Sequence, residues 1–447
     1  MNSLNKTVTA LLWGVLGLML VVQPAWAAPE VGGALRTDNR WRPGGDDDGY
    51  TWNETQLELK LDMRSTDAVF HSESRIRYFS FPEVQSSAQL GSSDHIQPWR
   101  FEMYEAYADI YGLLLDNLDI RIGKQRVAWG TADKLNVVDN LNPDDFEDIL
   151  DFGRKIPTMS LRLDYYPGDY TVTGVFIPVF TPARSLSSNW QVPISFPLPP
   201  ELTLRTLSDT IILPRNRPQD AATIGLRIKR TLRDYDFSLS YLYGRDDWAL
   251  PTAAEIIPTD TLGTTDVHLT LEYPKQQIVG MDLAGTVGDV GIWAEGALFL
   301  LDDKVFTTVT SLEGTQNQLA LDDVPYFKYV IGGDYTFKNG LYVNVQYLHG
   351  FFTDRGLDGL EDYFLIALER KYFHEELKVR TAIAAEIADF DDIGNNSAFF
   401  GGPELTYYPS DNVEIILGGL LLDGSSSTQF GQFSNNDEIY LKVKYSF

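Results

Sequence analysis

The stretch Asn436 to Phe447, NDEIYLKVKYSF, alternates without a slip. Ile439, Leu441, Val443, Tyr445 and Phe447 fall on one face, and Glu438, Tyr440, Lys442, Lys444 and Ser446 on the other. Successive side chains of a strand point to opposite faces, so a strict period of two describes a strand with one apolar and one polar side. A strand also has two edges, each a row of N–H and C=O groups in need of partners. No element after Phe447 is available to cover the second edge. The simplest solution is pairing with the first strand of the chain, which closes the sheet.

Read by the same rule, the rest of the chain is a run of hairpins. Strands are expected over residues 31–41, 50–62, 68–81, 99–111, 118–126, 157–167, 170–177, 221–230, 235–244, 277–287, 291–301, 326–337, 341–351, 362–373, 377–387, 399–408 and 413–422, before the terminal one. Asn339-Gly340 is the strongest of the hairpin signals. Residues 245–275 read as loop, with room for one extra strand at 267–273. Connections alternate between short and long, which gives about 18 strands with both termini on the short-turn rim. The fold class expected is all-β: a closed antiparallel up-and-down transmembrane β-barrel.

Residues 1–27 have the form of a secretory signal peptide, with Lys6, the apolar run Ala10 to Val22 and the small-residue site Ala25-Trp26-Ala27. Residues 28–447 would then be the barrel, with long inserted loops at 127–156 and 178–218. No other segment is apolar for long enough to form a membrane-spanning helix. Cys is absent, which excludes disulfides and thiolate metal sites. The formal charge of -27 makes nucleic acid an unsuitable partner, because phosphate repels it. No cofactor or metal is expected. The acidic clusters at 46–48, 302–303, 322–323 and 389–392 lack the spacing of a calcium loop and read as solvated. The five His residues are scattered, and no G-x-S-x-G, H-E-x-x-H or phosphate-binding loop occurs, so an enzyme is not expected.

The terminal Phe preceded by apolar residues at every second position resembles the C-terminal signature of bacterial outer-membrane β-barrels. The resemblance implies recognition by the barrel assembly machinery, and an outer-membrane setting with lipid and lipopolysaccharide as neighbours. Gly123-Lys124-Gln125, Trp129-Gly130 and Asn142-Pro143-Asp144 resemble a pattern in a poorly characterised family of proteobacterial outer-membrane barrels. That resemblance implies nothing about substrate.

In lipid a sheet can cross only when closed, with apolar rows outward and aromatics at both rims. Phe337, Tyr347, Tyr407, Tyr445 and Phe447 are the expected girdle residues. The opposite rows carry both signs of charge, which a dry core would not tolerate but a wet lumen would. Glu73, Arg75, Arg77, Glu105, Asp109, Arg121, Arg162, Asp164, Arg227 and Lys229 are accordingly expected to line a water-filled pore. Cross-strand neutralisation is the simpler role for them, and a transverse field that orients solutes the sharper one. The loop at 127–156 is expected to fold into the barrel mouth as a constriction, carried by Trp129, Asp139, Asn142, Asp144 and Asp145. One helical turn is expected over Asp144 to Leu150, with acid at its N-terminus. The Pro- and Leu-rich loop at 178–218 is expected to pack on itself or to form a lid. The function expected is a porin-like channel for passive diffusion of small solutes, with homo-oligomers an open question. The alternatives are a gated transporter for apolar compounds and a non-conducting structural or partner-binding barrel.

Overall fold

The computed structural model describes residues 27–44, 48–187, 190, 196–261 and 263–447. The expected signal peptide, Ala27 apart, lies outside these residues, as do Asp46 and Asp47 of the first acidic cluster. The strands in chain order begin with β1 (Glu30–Arg42), β2 (Gly49–Arg64), β3 (Ala68–Phe79), β4 (Trp99–Ile110), β5 (Leu118–Gln125), β6 (Thr158–Tyr165), β7 (Tyr170–Ile177) and β8 (Thr203–Ile212). They continue with β9 (Thr223–Leu232), β10 (Tyr235–Arg245), β11 (Leu250–Pro258), β12 (Thr264–Glu272), β13 (Lys275–Val287), β14 (Val290–Leu301), β15 (Val305–Ser311) and β16 (Gly314–Leu321). The last are β17 (Tyr326–Thr336), β18 (Leu341–His349), β19 (Asp362–Tyr372), β20 (Leu377–Ile387), β21 (Ser397–Ser410), β22 (Val413–Gly424) and β23 (Glu438–Ser446).

Eighteen of these strands make one antiparallel sheet, each paired with its neighbours in chain order. The sheet closes because β1 pairs on both sides: Leu35 lies opposite Leu57 of β2 and opposite Tyr445 of β23. Gly33 and Phe447 exchange both backbone hydrogen bonds at 3.0 Å across that seam. No edge is left exposed in the ring. Short turns, such as 233–234, 288–289 and 411–412, gather at one rim with the two ends of the sheet, and the long connections at the other.

The extra strand allowed at 267–273 is present as β12, and the long connections hold further structure that alternation did not predict. Residues 178–222 contain β8, 246–274 contain the hairpin β11–β12, and 302–325 contain the hairpin β15–β16. These five strands form a second sheet in the order β16-β15-β11-β12-β8. Each hairpin is antiparallel, while β11–β15 and β12–β8 run parallel. Between them the chain returns to the barrel, so the hairpins meet without a tight turn joining them. Ala254, Ile256, Val267, Leu269 and Val309 form the buried face, covered by Phe196, Leu198, Leu202 and Leu207. The loop at 178–218 therefore shares an apolar core with two other loops and does not pack on itself alone.

The helical turn expected at Asp144 to Leu150 is not formed. Asp144 and Asp145 instead make isolated bridges to Lys155 and Arg184. Their backbone and side chains find partners in extended geometry, which removes the reason for the acids to cap a helix.

Candidate functional site: a lumen filled by an inserted loop

The two faces of the wall differ in kind. Outward rows expose Leu35, Ile76, Ile228, Met281, Ile331, Ile366, Leu405 and Leu441 along the middle of the strands. Exposed aromatics stand nearer the ends: Trp41, Tyr78, Phe101, Phe327, Phe364 and Phe399 toward the long-loop rim, and Tyr165, Tyr170, Tyr372, Tyr407 and Tyr445 toward the other. Phe364 and Tyr372 on β19 are eight residues apart. That is roughly 27 Å along a strand, or about 20 Å after a tilt of ~40°, comparable with the apolar band of a membrane barrel. Of the expected girdle, Phe337, Tyr407, Tyr445 and Phe447 are exposed. Tyr347 is half-buried, its hydroxyl donating to Asp362 at 2.5 Å. A closed ring of apolar side chains this extensive suits hydrocarbon and not water. This is a transmembrane β-barrel.

On the barrel's inner face the charged residues form a belt of ion pairs along β3 to β9. Arg75 contacts Glu73 at 2.6 Å and lies over the Tyr104 ring, and Lys60 reaches Glu73 at 3.4 Å. Arg77 bridges Glu54 at 2.5 Å and Glu147 at 2.8 Å. Arg121 pairs with Asp109 at 2.6 Å, Arg162 with Asp164 at 2.8 Å, Arg227 with Asp282 at 3.0 Å and Lys229 with Asp236 at 2.7 Å. Among the described residues, all the expected lumen residues except Glu105 stand in an ion pair. Neutralisation, within a strand or between strands, is thus the prevailing arrangement. The ten residues are spread round the wall and do not converge on one point.

The connection 126–157 enters the barrel and fills much of its long-loop half. Val127, Trp129, Leu135, Val137, Val138, Leu141 and Phe146 are buried against Val175, Ile177, Leu242, Ile278, Phe299, Val330 and Leu348 of the wall. This corrects the picture of a wholly wet lumen: beside the charged belt, the loop and the inner faces of β7, β10, β13, β14, β17 and β18 bury apolar side chains against one another.

Polar side chains fasten the loop at each end. Asn142 uses its whole amide: Oδ1 accepts from Val127 N at 2.7 Å, while Nδ2 donates to Gln125 O at 3.3 Å, Ile156 O at 3.1 Å and Thr158 Oγ1 at 3.0 Å. It thereby joins the start and finish of the loop. Asp139 accepts from Trp129 N at 3.2 Å and from Arg126 at 3.3 Å. Glu295 on β14 accepts the backbone N–H of Thr131, of Ala132 at 2.6 Å and of Val138 at 3.3 Å. Gly130 has φ +90°, and a Cβ there would meet the Asn136 amide at 2.3 Å and Glu295 at 2.5 Å, so only glycine fits.

The acidic run Asp144-Asp145-Phe146-Glu147-Asp148 is held by cations from several elements. Lys155 donates to Asp144 at 2.5 Å, Arg154 to Asp145 at 2.7 Å and Arg40 of β1 to Asp148 at 2.6 Å. Glu147 receives Arg77, Arg184 at 3.1 Å and Arg154 at 3.2 Å. Burial alone would raise the Glu147 carboxyl, but Arg77, then Arg184 and Arg154, hold it below its ordinary range. Asp247, in the loop after β10, has the opposite balance. Burial, then Asp144 and Asp246, push it up to about 7 against the pull of Lys155.

Between the loop and β18 to β23 remains a cavity of about 210 Å³. Its wall side is built of Ala367, Ala382, Ala384, Gly402 and Gly419, and its loop side of Leu135, Leu150 and Phe152. Arg380, Glu404 and Lys442 line its end nearer the short turns. Toward the other end lies an aromatic cluster drawn from three loops and the wall. Phe430 stacks on Phe400 at 4.0 Å, and Phe152 meets Phe146, Phe351, Phe400 and Phe430 at 5.9–6.2 Å.

Sequence reasoning placed Trp129, Asp139, Asn142, Asp144 and Asp145 on one loop; all five are buried in the barrel mouth. It missed Glu147 and Asp148 as ion-pair partners, and Phe351 and Phe430 as members of the cluster. The available signal was the unbroken acidic–aromatic run around Phe146. No protein-family model matches this chain, and no curated sequence does. Several solved outer-membrane proteins are similar in architecture. OpdG (OccK9) of Pseudomonas aeruginosa has 12% identity and a TM-score of 0.49, covering 94% of this chain and 98% of that one. OpdK of the same organism, solved with vanillate, has 10% identity and a TM-score of 0.48, covering 94% and 98%. OmpT of Vibrio cholerae has 10% and 0.43, covering 95% and 100%. No function is transferred from likenesses this distant.

Proposed function

We propose that this barrel is a porin-like channel through which small solutes diffuse, narrowed by the loop 126–157. The observation that carries this reading is the cavity between that loop and the alanine- and glycine-lined wall of β19 to β22, where small side chains leave room the plug does not take. Paired charges on β3 to β9 keep the remaining lumen hydrated without a strong net field. No part of the proposal needs covalent chemistry. A gated path for apolar compounds is the second reading, favoured by the cluster of Phe146, Phe152, Phe351, Phe400 and Phe430 above the cavity. Lipid, lipopolysaccharide and the assembly machinery are the proposed partners of the outer face and of β23. Swelling of proteoliposomes in graded sugars, amino acids and alkanoic acids tests both readings. Uptake that falls with size for every class supports the channel, and uptake confined to alkanoic acids supports the gated path. No swelling with any solute rejects both.

A further inference from the structure

His71, Glu73 and Glu105 meet on the inner wall near the short-turn rim, and each offers a ligand atom within 4.8 Å of the others. The register explains why. Glu73 lies directly opposite Glu105 across β3–β4, and His71 is two residues along β3, on the same face. A bulge follows at Glu73/Ser74 and presents both Tyr104 and Glu105 toward the lumen.

Two further features single the group out from the surrounding ion pairs. Asp62 accepts or shares the proton of His71 Nδ1 at 2.8 Å, and the Tyr107 ring packs on the imidazole at 5.0 Å. A carboxylate on one ring nitrogen fixes the ring and leaves the other nitrogen's lone pair for a metal, the outer-shell arrangement usual for metal-bound histidine. Next, among the described residues, Asp62 and Glu105 have no Lys or Arg within 4.0 Å, although nearly every other carboxylate of this wall does. Glu105 receives only the backbone N–H of Arg126, at 2.6 Å. The patch around His71 therefore carries uncompensated negative charge beside a preoriented imidazole.

We propose that His71, Glu73 and Glu105 form a lumenal site for a divalent transition-metal ion of the Zn²⁺ class, with Asp62 as the positioning residue. One imidazole and two carboxylates favour such an ion over Mg²⁺ or Ca²⁺, which take oxygen donors throughout. Bonds of about 2.1 Å to a tetrahedral ion set ligand atoms roughly 3.4 Å apart, so side-chain rotation of about 1 Å closes the site around it. Lys60, now 3.4 Å from Glu73, also contacts Glu58 at 3.1 Å, a partner it keeps when Glu73 turns to the ion, while Arg75 holds the other carboxylate oxygen. A fourth position faces the lumen and is open to water or a solute donor.

Titration calorimetry of the folded full-length barrel in detergent, with Zn²⁺ alone as the probe, tests this. The expected result is one site whose affinity falls at least tenfold in His71→Ala and in Glu105→Gln, and by roughly tenfold in Asp62→Asn. Asp391→Asn, in an exposed acidic loop, should leave it unchanged. Heat-modifiable migration establishes that each variant is folded, and the near-isosteric His71→Gln stands in for His71→Ala if that variant is not. Absence of Zn²⁺ binding, or equal affinity in the wild type, His71→Gln and Glu105→Gln, overturns the proposal.

Discussion

Replacing Asn142 by Ala should free the inserted loop while leaving the barrel standing. The amide makes four hydrogen-bond contacts, all to the loop's neck or to its roots on β5 and β6. Its two N–H groups share the three acceptors, so it makes about three full bonds, and at about 1 kcal/mol net each their loss costs about 3 kcal/mol. The barrel ladder makes no use of the Asn142 side chain, so the cost falls on docking of the loop. With a factor of ten for every ~1.4 kcal/mol, the undocked population rises on the order of 10²-fold. Limited proteolysis of the folded barrel in detergent reads this out, because cleavage within 126–157 tracks the open fraction when reclosing is fast. Single-channel conductance should rise in parallel. Cleavage and conductance within twofold of the wild type would refute the view that this amide fastens the loop.

Other perturbations bear on the same architecture. Gly130→Ala should undock the loop as Asn142→Ala does, since the added methyl meets Asn136 and Glu295 at a φ that L residues avoid; hydrogen exchange over 126–157 would detect it. Asp247 is held protonated to about pH 7 when the loop is docked, while a solvated Asp ionises near pH 4. The docked state thus binds the extra proton between these values, so docking weakens as pH rises through that window and levels off above it. Asp247→Asn should flatten that dependence in exchange measured from pH 5 to 8. Removing Arg75, Arg77 and Arg121 together leaves Glu54, Glu73 and Asp109 short of their partners, and reversal potentials should shift toward cation selectivity; an unchanged potential would reject any role of this belt in filtering. Phe430→Ala removes the ring stacked on Phe400 and packed against Phe152 of the loop, and should raise conductance in single-channel records.

The barrel was legible because alternation on its strands is set by two unlike solvents, and β2, β3 and β23 display it openly. The plug was less so. On β14 the run Gly296-Ala-Leu-Phe-Leu-Leu301 is apolar on both faces, the mark of a strand covered on both sides. Leu298 faces lipid while Ala297 and Phe299 face Val138 and its neighbours, but the sequence does not say which protein segment does the covering. The second sheet was hidden for a related reason. Its hairpins are Thr-rich and interrupted by Pro251 and Pro258, and they bury a face only when three distant loops meet. The metal-ligand group was invisible because His71 and Glu105 are joined by register alone. Sequence separation conceals a contact that the strand pairing makes inevitable.

The seam between β1 and β23 joins residues that stand about 400 positions apart, among the most distant contacts a chain of this length can make. Every other strand can find its partner as soon as its hairpin forms, yet each such intermediate ribbon still has two raw margins. Only the last zipper, with Gly33 locked to Phe447, retires both at once. A half-built wall left to itself has no tolerable place in hydrocarbon, so both margins need a partner until the circle is complete.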